Sequence, residues 1–264
     1  MNAQNGQNNP FQQLVELMAT LRGPDGCPWD RKQTPESLKP FLVEECYEVV
    51  DAIEEGAPAK VRDELGDLLF QIIFHARIAE EAGQFTINDV LTAIHEKMTR
   101  RHPHVFGHDK ISTDKEVLSN WEEIKRKEKG HVDRKSILEG VPKELPSLLR
   151  AHRLQERAAR VGFDWSHLSE ALPKLDEEIA EFKESLKTED AGKIEEELGD
   201  VFFMLVNLSR FLGVNPEDAL RKTISKFIHR FRYIEEHAEQ ARRSLNDMTL
   251  DEMEKLWQES KNKQ

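Results

Sequence analysis

At 264 residues the chain is long enough for one large core or two modest ones of ordinary domain size. A formal net charge of −12, with 33% charged residues, argues against a non-specific nucleic-acid binder, which would carry a basic face. Cys27 and Cys46 are too few for a disulfide framework or a zinc site; no apolar run reaches membrane-span length and no signal peptide is visible, so a cytoplasmic protein is expected.

Residues 1–10 are rich in Asn and Gln and read as a disordered tail. Phe11, Leu14, Leu17, Met18 and Leu21 form the stripe of a first helix. A turn-rich loop ending in Trp29 leads to a helical hairpin over residues 35–82, stopped at Gly56 and restarted at Pro58. Its second arm, with Leu65, Leu68, Leu69, Phe70, Ile72, Ile73 and Phe74, is apolar almost all round and predicts a buried central helix. Thr86 and Asp89 resemble a capping box opening a helix that runs to about Arg101. His102, His104 and His108 follow in a Pro- and Gly-containing loop too irregular to favour a metal site. Residues 113–128 read as another amphipathic helix, carrying Trp121.

Residues 130–146 hold Gly and Pro breaks among charges and read as a linker. The pattern then restarts: a helix over 148–161, Trp165 in the part of Trp29, and Pro173 near the start of a second acidic helix. A second apolar arm covers 193–211, and Asn215 with Pro216 opens the next helix as cap and first residue. Residues 248–261 close the chain, with Trp257 where the first copy has Trp121. No period-2 pattern appears. The predicted fold is all-α, two tandem helical-bundle modules over 11–129 and 147–264, each built around an acidic hairpin.

Those hairpins carry the chemistry. Glu45 and Glu48 lie three apart on one helix, Glu64 and Asp67 three apart on the next, so each pair shares a face. Glu48 and Glu64 are each 8 residues from Gly56; Glu45 and Asp67 are each 11 away. Equal distance from the turn means equal height, so the four acids meet about 12–16 Å from it. A single acidic helix reads as a solvated face. Here, however, the device recurs at an unbroken offset of 133, as Glu178, Glu181, Glu197 and Asp200. A surface charge run has no need to keep such a register. Oxygen-only ligands suit Mg²⁺, with Mn²⁺ as the alternative. Gly66 and Gly199 recur between the last two acids; Gly inside a helix costs about 1 kcal/mol, which predicts a close approach to the backbone there.

Cations accompany each hairpin. Lys97 and Arg101 in the first copy align with Lys226 and Arg230 in the second, each pair one turn apart. Lys60 aligns with Lys193, while Lys174 has Phe41 opposite it, one basic residue fewer for the first copy. These residues either neutralise nearby acids or clamp phosphates. Acids, cations and a metal together suit phosphoanhydride hydrolysis. No P-loop is present, and a di-iron carboxylate bundle would need Glu-x-x-His, which neither hairpin has.

Glu-Glu-x-x-Glu followed by Glu-x-x-Asp on a hairpin, present twice, resembles the MazG-type nucleoside triphosphate pyrophosphohydrolases of the all-α NTP pyrophosphatase group. The resemblance covers nearly the whole chain from Phe11. It implies Mg²⁺-dependent hydrolysis of ribo- or deoxyribonucleoside triphosphates to the monophosphate and pyrophosphate in a homodimer, with the C-terminal module carrying the main activity. It implies Glu178, Glu181, Glu197 and Asp200 as metal ligands and catalytic acids. Nucleotide contacts would fall to Lys174, Lys193, Lys226, Arg230 and Trp257, the last by stacking on a base. His229 stands where an Arg is often found. Glu45, Glu48, Glu64, Asp67, Lys97 and Arg101 would form a weaker second site. The competing reading is a non-catalytic nucleotide-binding or interaction scaffold, which suits the first module best.

Overall fold

The computed structural model describes residues 9–107, 113, 116, 117, 120, 121, 124 and 136–263. Every element among them is helical, and the chain divides into two compact units, Met1–His131 and Val132–Gln264.

The first unit contains α1 (Pro10–Leu21), α2 (Pro28–Lys32), α3 (Pro35–Glu54), α4 (Pro58–Glu81), α5 (Ile87–Arg101) and the short α6 (Pro103–Phe106). Five of these six helices open on a proline, whose fixed φ suits the first turn and whose missing N–H is unneeded there. Asn9 caps α1, so the helix begins inside the segment expected to be a tail. The α5 capping box forms as expected, with Thr86 and Asp89 each bonding the other's backbone N–H. The loop expected at His102 to His108 contains α6; His108 lies outside the described residues. So does the predicted 113–128 helix, apart from positions 113, 116, 117, 120, 121 and 124.

The hairpin α3–α4 is the unit's largest helix–helix contact, and Gly56 takes φ +65° at its turn. Met18, Leu38, Ile73 and Phe74 form the core, with Phe11, Leu14, Phe41, Phe70 and Ile78 packed around it. The second arm is not the buried helix its composition predicts. Leu65, Leu69 and Ile72 are exposed, because α1 and α3 cover only the face that carries Ile73, Phe74 and Ala76.

The second unit contains α7 (Ser147–Ala159), α8 (Leu168–Ser185), α9 (Ala191–Phe211), α10 (Pro216–Gln240), a 3₁₀ turn (Leu245–Asp247) and α11 (Leu250–Lys261). Asn215 caps α10 as expected, accepting from the N–H groups of Glu217 and Asp218. The core is Ala171, Met204 and Leu208, with Leu168, Leu175 and Phe211 around it. On α9, Phe202, Phe203 and Leu205 are exposed, again leaving an apolar arm half covered. Within 130–146, the part from Ile137 onward is tied to this unit. Arg157 donates to the carbonyls of Ile137 and Glu139, and Val141 is buried.

The hairpin turns differ in one respect. Position 189 matches Gly56 and holds Glu189, which nonetheless takes φ +57°. The left-handed corner is therefore a property of the turn rather than of the glycine.

Candidate functional site

In the first unit, α3 and α4 bring oxygens of Glu45, Glu48 and Glu64 within 4.8 Å of one another. Burial raises the Glu45 carboxyl above its ordinary value; a hydrogen bond from Gln71 works against this, and the charges of Asp67 and Glu48 add to it. Asp67 thus lies beside the cluster. None of the four has an ion-pair partner among the described residues, and Lys60 pairs instead with Glu55.

In the second unit, α8 and α9 bring oxygens of Glu178, Glu197 and Asp200 within 4.8 Å of one another. Desolvation raises Glu197, and the charges of Glu181 and Asp200 raise it further while Lys193 opposes them. Glu178 is buried at 9% exposure and pairs with Lys174 at 2.9 Å. Lys174 also reaches Glu177 at 2.7 Å, and these two bonds hold its ammonium well above the ordinary lysine range. Each hairpin therefore gathers three of its four acids; Glu45 and Glu64 correspond to Glu178 and Glu197, while the third is Glu48 in the first cluster and Asp200 in the second, with Asp67 and Glu181 beside them. Each presents an all-oxygen donor set strained by mutual repulsion, which fits a hard divalent cation.

The glycines between the last two acids do not face a close neighbour. A Cβ at Gly66 or Gly199 would meet nothing within 4 Å, so the expected close approach is absent among the described residues.

The cationic stripes lie on α5 and α10, which pack on the hairpin arms α4 and α9 respectively. Arg230 sits over the Trp257 ring at 5.6 Å, and Arg101 sits over Trp121 at 5.3 Å. The same Arg–Trp pair thus recurs in both modules, as the alignment of Arg101 with Arg230 requires. Lys226 is exposed on α10 next to Phe227, which meets Trp257 at 5.3 Å and stacks on Phe231. Trp257 is neither fully buried nor bare: it forms one wall of an aromatic and cationic assembly. Helix α10 packs on α7 and α9, which places that assembly and the acids in one unit.

Sequence reasoning missed Phe227 and Gln71. Phe227 lies four residues before Phe231, a spacing that marks a helical aromatic pair. Gln71 lies four after Asp67, on the acidic face of α4.

The MazG nucleotide pyrophosphohydrolase domain matches the chain twice, at residues 33–106 and 167–234. Each match contains one complete set of four acids. The chain is 47% identical over 251 residues to the nucleoside triphosphate pyrophosphohydrolase/pyrophosphatase MazG of Thermotoga maritima, covering 95% of each. It is 43% identical over 256 residues to the nucleoside triphosphate pyrophosphohydrolase of Escherichia coli, covering 96% of this chain and 97% of that one. It is also 46% identical over 252 residues to the Bacillus subtilis protein YabN, covering 95% of this chain and 51% of YabN. With both copies of the acidic hairpin inside the matched segments, the chain belongs to the MazG nucleotide pyrophosphohydrolase family and is a hydrolase of that kind.

Proposed function

We propose that this protein hydrolyses nucleoside triphosphates to the monophosphate and pyrophosphate in a Mg²⁺-dependent reaction carried out chiefly by the C-terminal module. The observation that carries the reading is the pair of acidic clusters, one in each hairpin and each built from oxygen donors alone. Glu178, Glu181, Glu197 and Asp200 would hold the cation, which when bound offsets charge on the phosphate oxygens. Lys174, Lys193, Lys226 and Arg230 bind and orient the polyphosphate, and Trp257 offers a face on which any base can stack.

The first module carries the weaker site, at Glu45, Glu48, Glu64 and Asp67 with Lys97 and Arg101. Phe41 stands in place of Lys174 there and packs on Trp29 and the core instead of meeting an acid. A non-catalytic binding role is favoured for that module by the same substitution. The exposed apolar faces of α4 and α9 support a homodimer, and no described helix is long and apolar enough to cross a membrane. We place the protein in the cytoplasm, acting on free nucleotides rather than nucleic acid.

The test is a panel of ribo- and deoxyribonucleoside triphosphates with Mg²⁺, scored separately for pyrophosphate and orthophosphate. Pyrophosphate release that stops in excess chelator is expected. Full turnover in chelator, or orthophosphate as the primary product, would overturn the reading.

A further inference from the structure

The two hairpins carry the same four acids at matched positions, and two of those positions, Glu45 with Glu178 and Glu64 with Glu197, fall in the cluster of each; the copies differ in what stands one turn beyond. Counting 15 residues from the turn in each direction, the first hairpin places Phe41 on α3 and Gln71 on α4. The second places Lys174 on α8 and Met204 on α9. The polar residue has thus changed helices between the copies, and its chemistry has changed from a neutral amide to a cation.

Each polar residue is bound into its cluster. Gln71 is 8% exposed and sends its Nε2 to Glu45 Oε1 at 3.4 Å, a long bond. Its Oε1 is buried with no hydrogen-bond partner among the described residues. A buried acceptor left unsatisfied is costly, and its presence beside an acidic cluster calls for a missing partner. The amide can present either end to the cluster by a half-turn, so Oε1 can join the carboxylates as a further neutral oxygen donor. Lys174 does the reverse. Its Nζ lies 2.9 Å from Glu178 Oε1 and already supplies positive charge to the second cluster. A cation arriving there must displace that ammonium, whereas no described residue forms a comparable ion pair with the first cluster.

We propose that the two sites are unequal in a defined way: the first, completed by the Gln71 amide oxygen, takes a divalent cation without nucleotide, whereas the second loads its cation together with a triphosphate that draws Lys174 off Glu178. The inference rests on the metal reading of the acidic clusters given above. In the second site the phosphate supplies a new partner for Lys174 and further oxygens for the cation, so binding of the two is mutually favourable. The first site has no such exchange to make, and its occupancy is independent of triphosphate. It then serves as a resident cation that binds the α3–α4 hairpin together.

The experiment is a Mn²⁺ titration of the full chain, with free Mn²⁺ followed by electron paramagnetic resonance, with and without a non-hydrolysable α,β-methylene triphosphate. Wild type is expected to show one tight and one weak class without nucleotide, and tightening of the weak class alone when the analogue is added. Glu48→Gln with Glu64→Gln removes the tight class; Glu181→Gln with Glu197→Gln leaves it. Gln71→Met, which installs the residue of the other copy, weakens the tight class by about tenfold, and Gln71→Glu, which keeps an oxygen donor, restores it. Lys174→Met strengthens the weak class without nucleotide by about tenfold and reduces its response to the analogue, leaving the part that the phosphate oxygens supply. Circular dichroism checks that each variant is folded. Two classes of equal affinity, a tight class lost with Glu181 and Glu197, or no effect of Lys174→Met overturns this inference alone. The absence of any bound Mn²⁺ in wild type, with or without the analogue, overturns the metal reading as well.

Discussion

Glu189 occupies a left-handed corner that its counterpart, Gly56, fills with a residue suited to it. A side chain there costs about 1–2 kcal/mol, while glycine loses up to about 1 kcal/mol more backbone entropy on folding. Glu189→Gly is therefore expected to gain up to about 1 kcal/mol, a rise of a few degrees in melting temperature, with activity unchanged; a lower melting temperature would refute this. His75 presents a second contrast between the copies. Its Nε2 is buried without a partner among the described residues, and the matched position in the second unit is the core residue Leu208. Burial lowers the His75 pKa below its ordinary value, with Glu36 acting weakly the other way. The folded state thus favours the neutral ring, so its contribution is present above about pH 6.5 and is lost as pH falls through the lowered value. His75→Leu is expected to stabilise the first unit by about 1 kcal/mol and to flatten its acid-side loss of stability. Melting curves from pH 7.5 to pH 5 measure both, and an unchanged slope would count against it.

At the scale of the helical hairpin, the two elements invite a direct exchange. Glu48→Gln with Glu64→Gln disables the first cluster, and Glu181→Gln with Glu197→Gln disables the second. The second double variant is expected to lose most triphosphate hydrolysis and the first to keep most of it. The physical reason is Lys174. A charge-assisted bond to phosphate is worth about 1.5–3 kcal/mol, on the order of 10- to 100-fold in binding or rate, and Phe41 cannot make it. Lys174→Phe alone should bring the second site down by that factor. Equal losses from the two double variants would show that the modules share the work. The Arg–Trp pairs belong to the same scale, since Arg101 with Trp121 and Arg230 with Trp257 are repeated as whole helical contacts.

For the whole molecule, the decisive feature is the apolar surface left on the two arms. Leu65, Leu69 and Ile72 on α4, and Phe202, Phe203 and Leu205 on α9, remain about half exposed after each unit has closed its own core. Contiguous apolar faces of that kind mark association surfaces. Light scattering is expected to give twice the chain mass of 30.6 kDa, and Leu69→Glu with Phe203→Glu is expected to yield monomers with reduced activity. A monodisperse wild-type monomer with full activity would rule the dimer out.

The helices and the acidic clusters were legible because their rules are local. Caps at Thr86 and Asn215, the break at Gly56 and Pro58, and three-residue acid spacings depend on neighbours in the chain, and the offset of 133 carried one hairpin onto the other. The fate of the arms was not legible. Composition marks Leu65 and Phe202 as apolar, but whether they are buried depends on what packs over them, and both stay about half exposed. The Gly66 and Gly199 expectation failed for the same reason, since open space beside a backbone is not written in the backbone. Gln71 and Lys174 show the division most clearly. Helical spacing puts each on the acidic face, but only tertiary packing buries Gln71 with an unsatisfied oxygen and leaves Lys174 bonded to Glu178, because desolvation and ion pairing depend on residues far away in the chain.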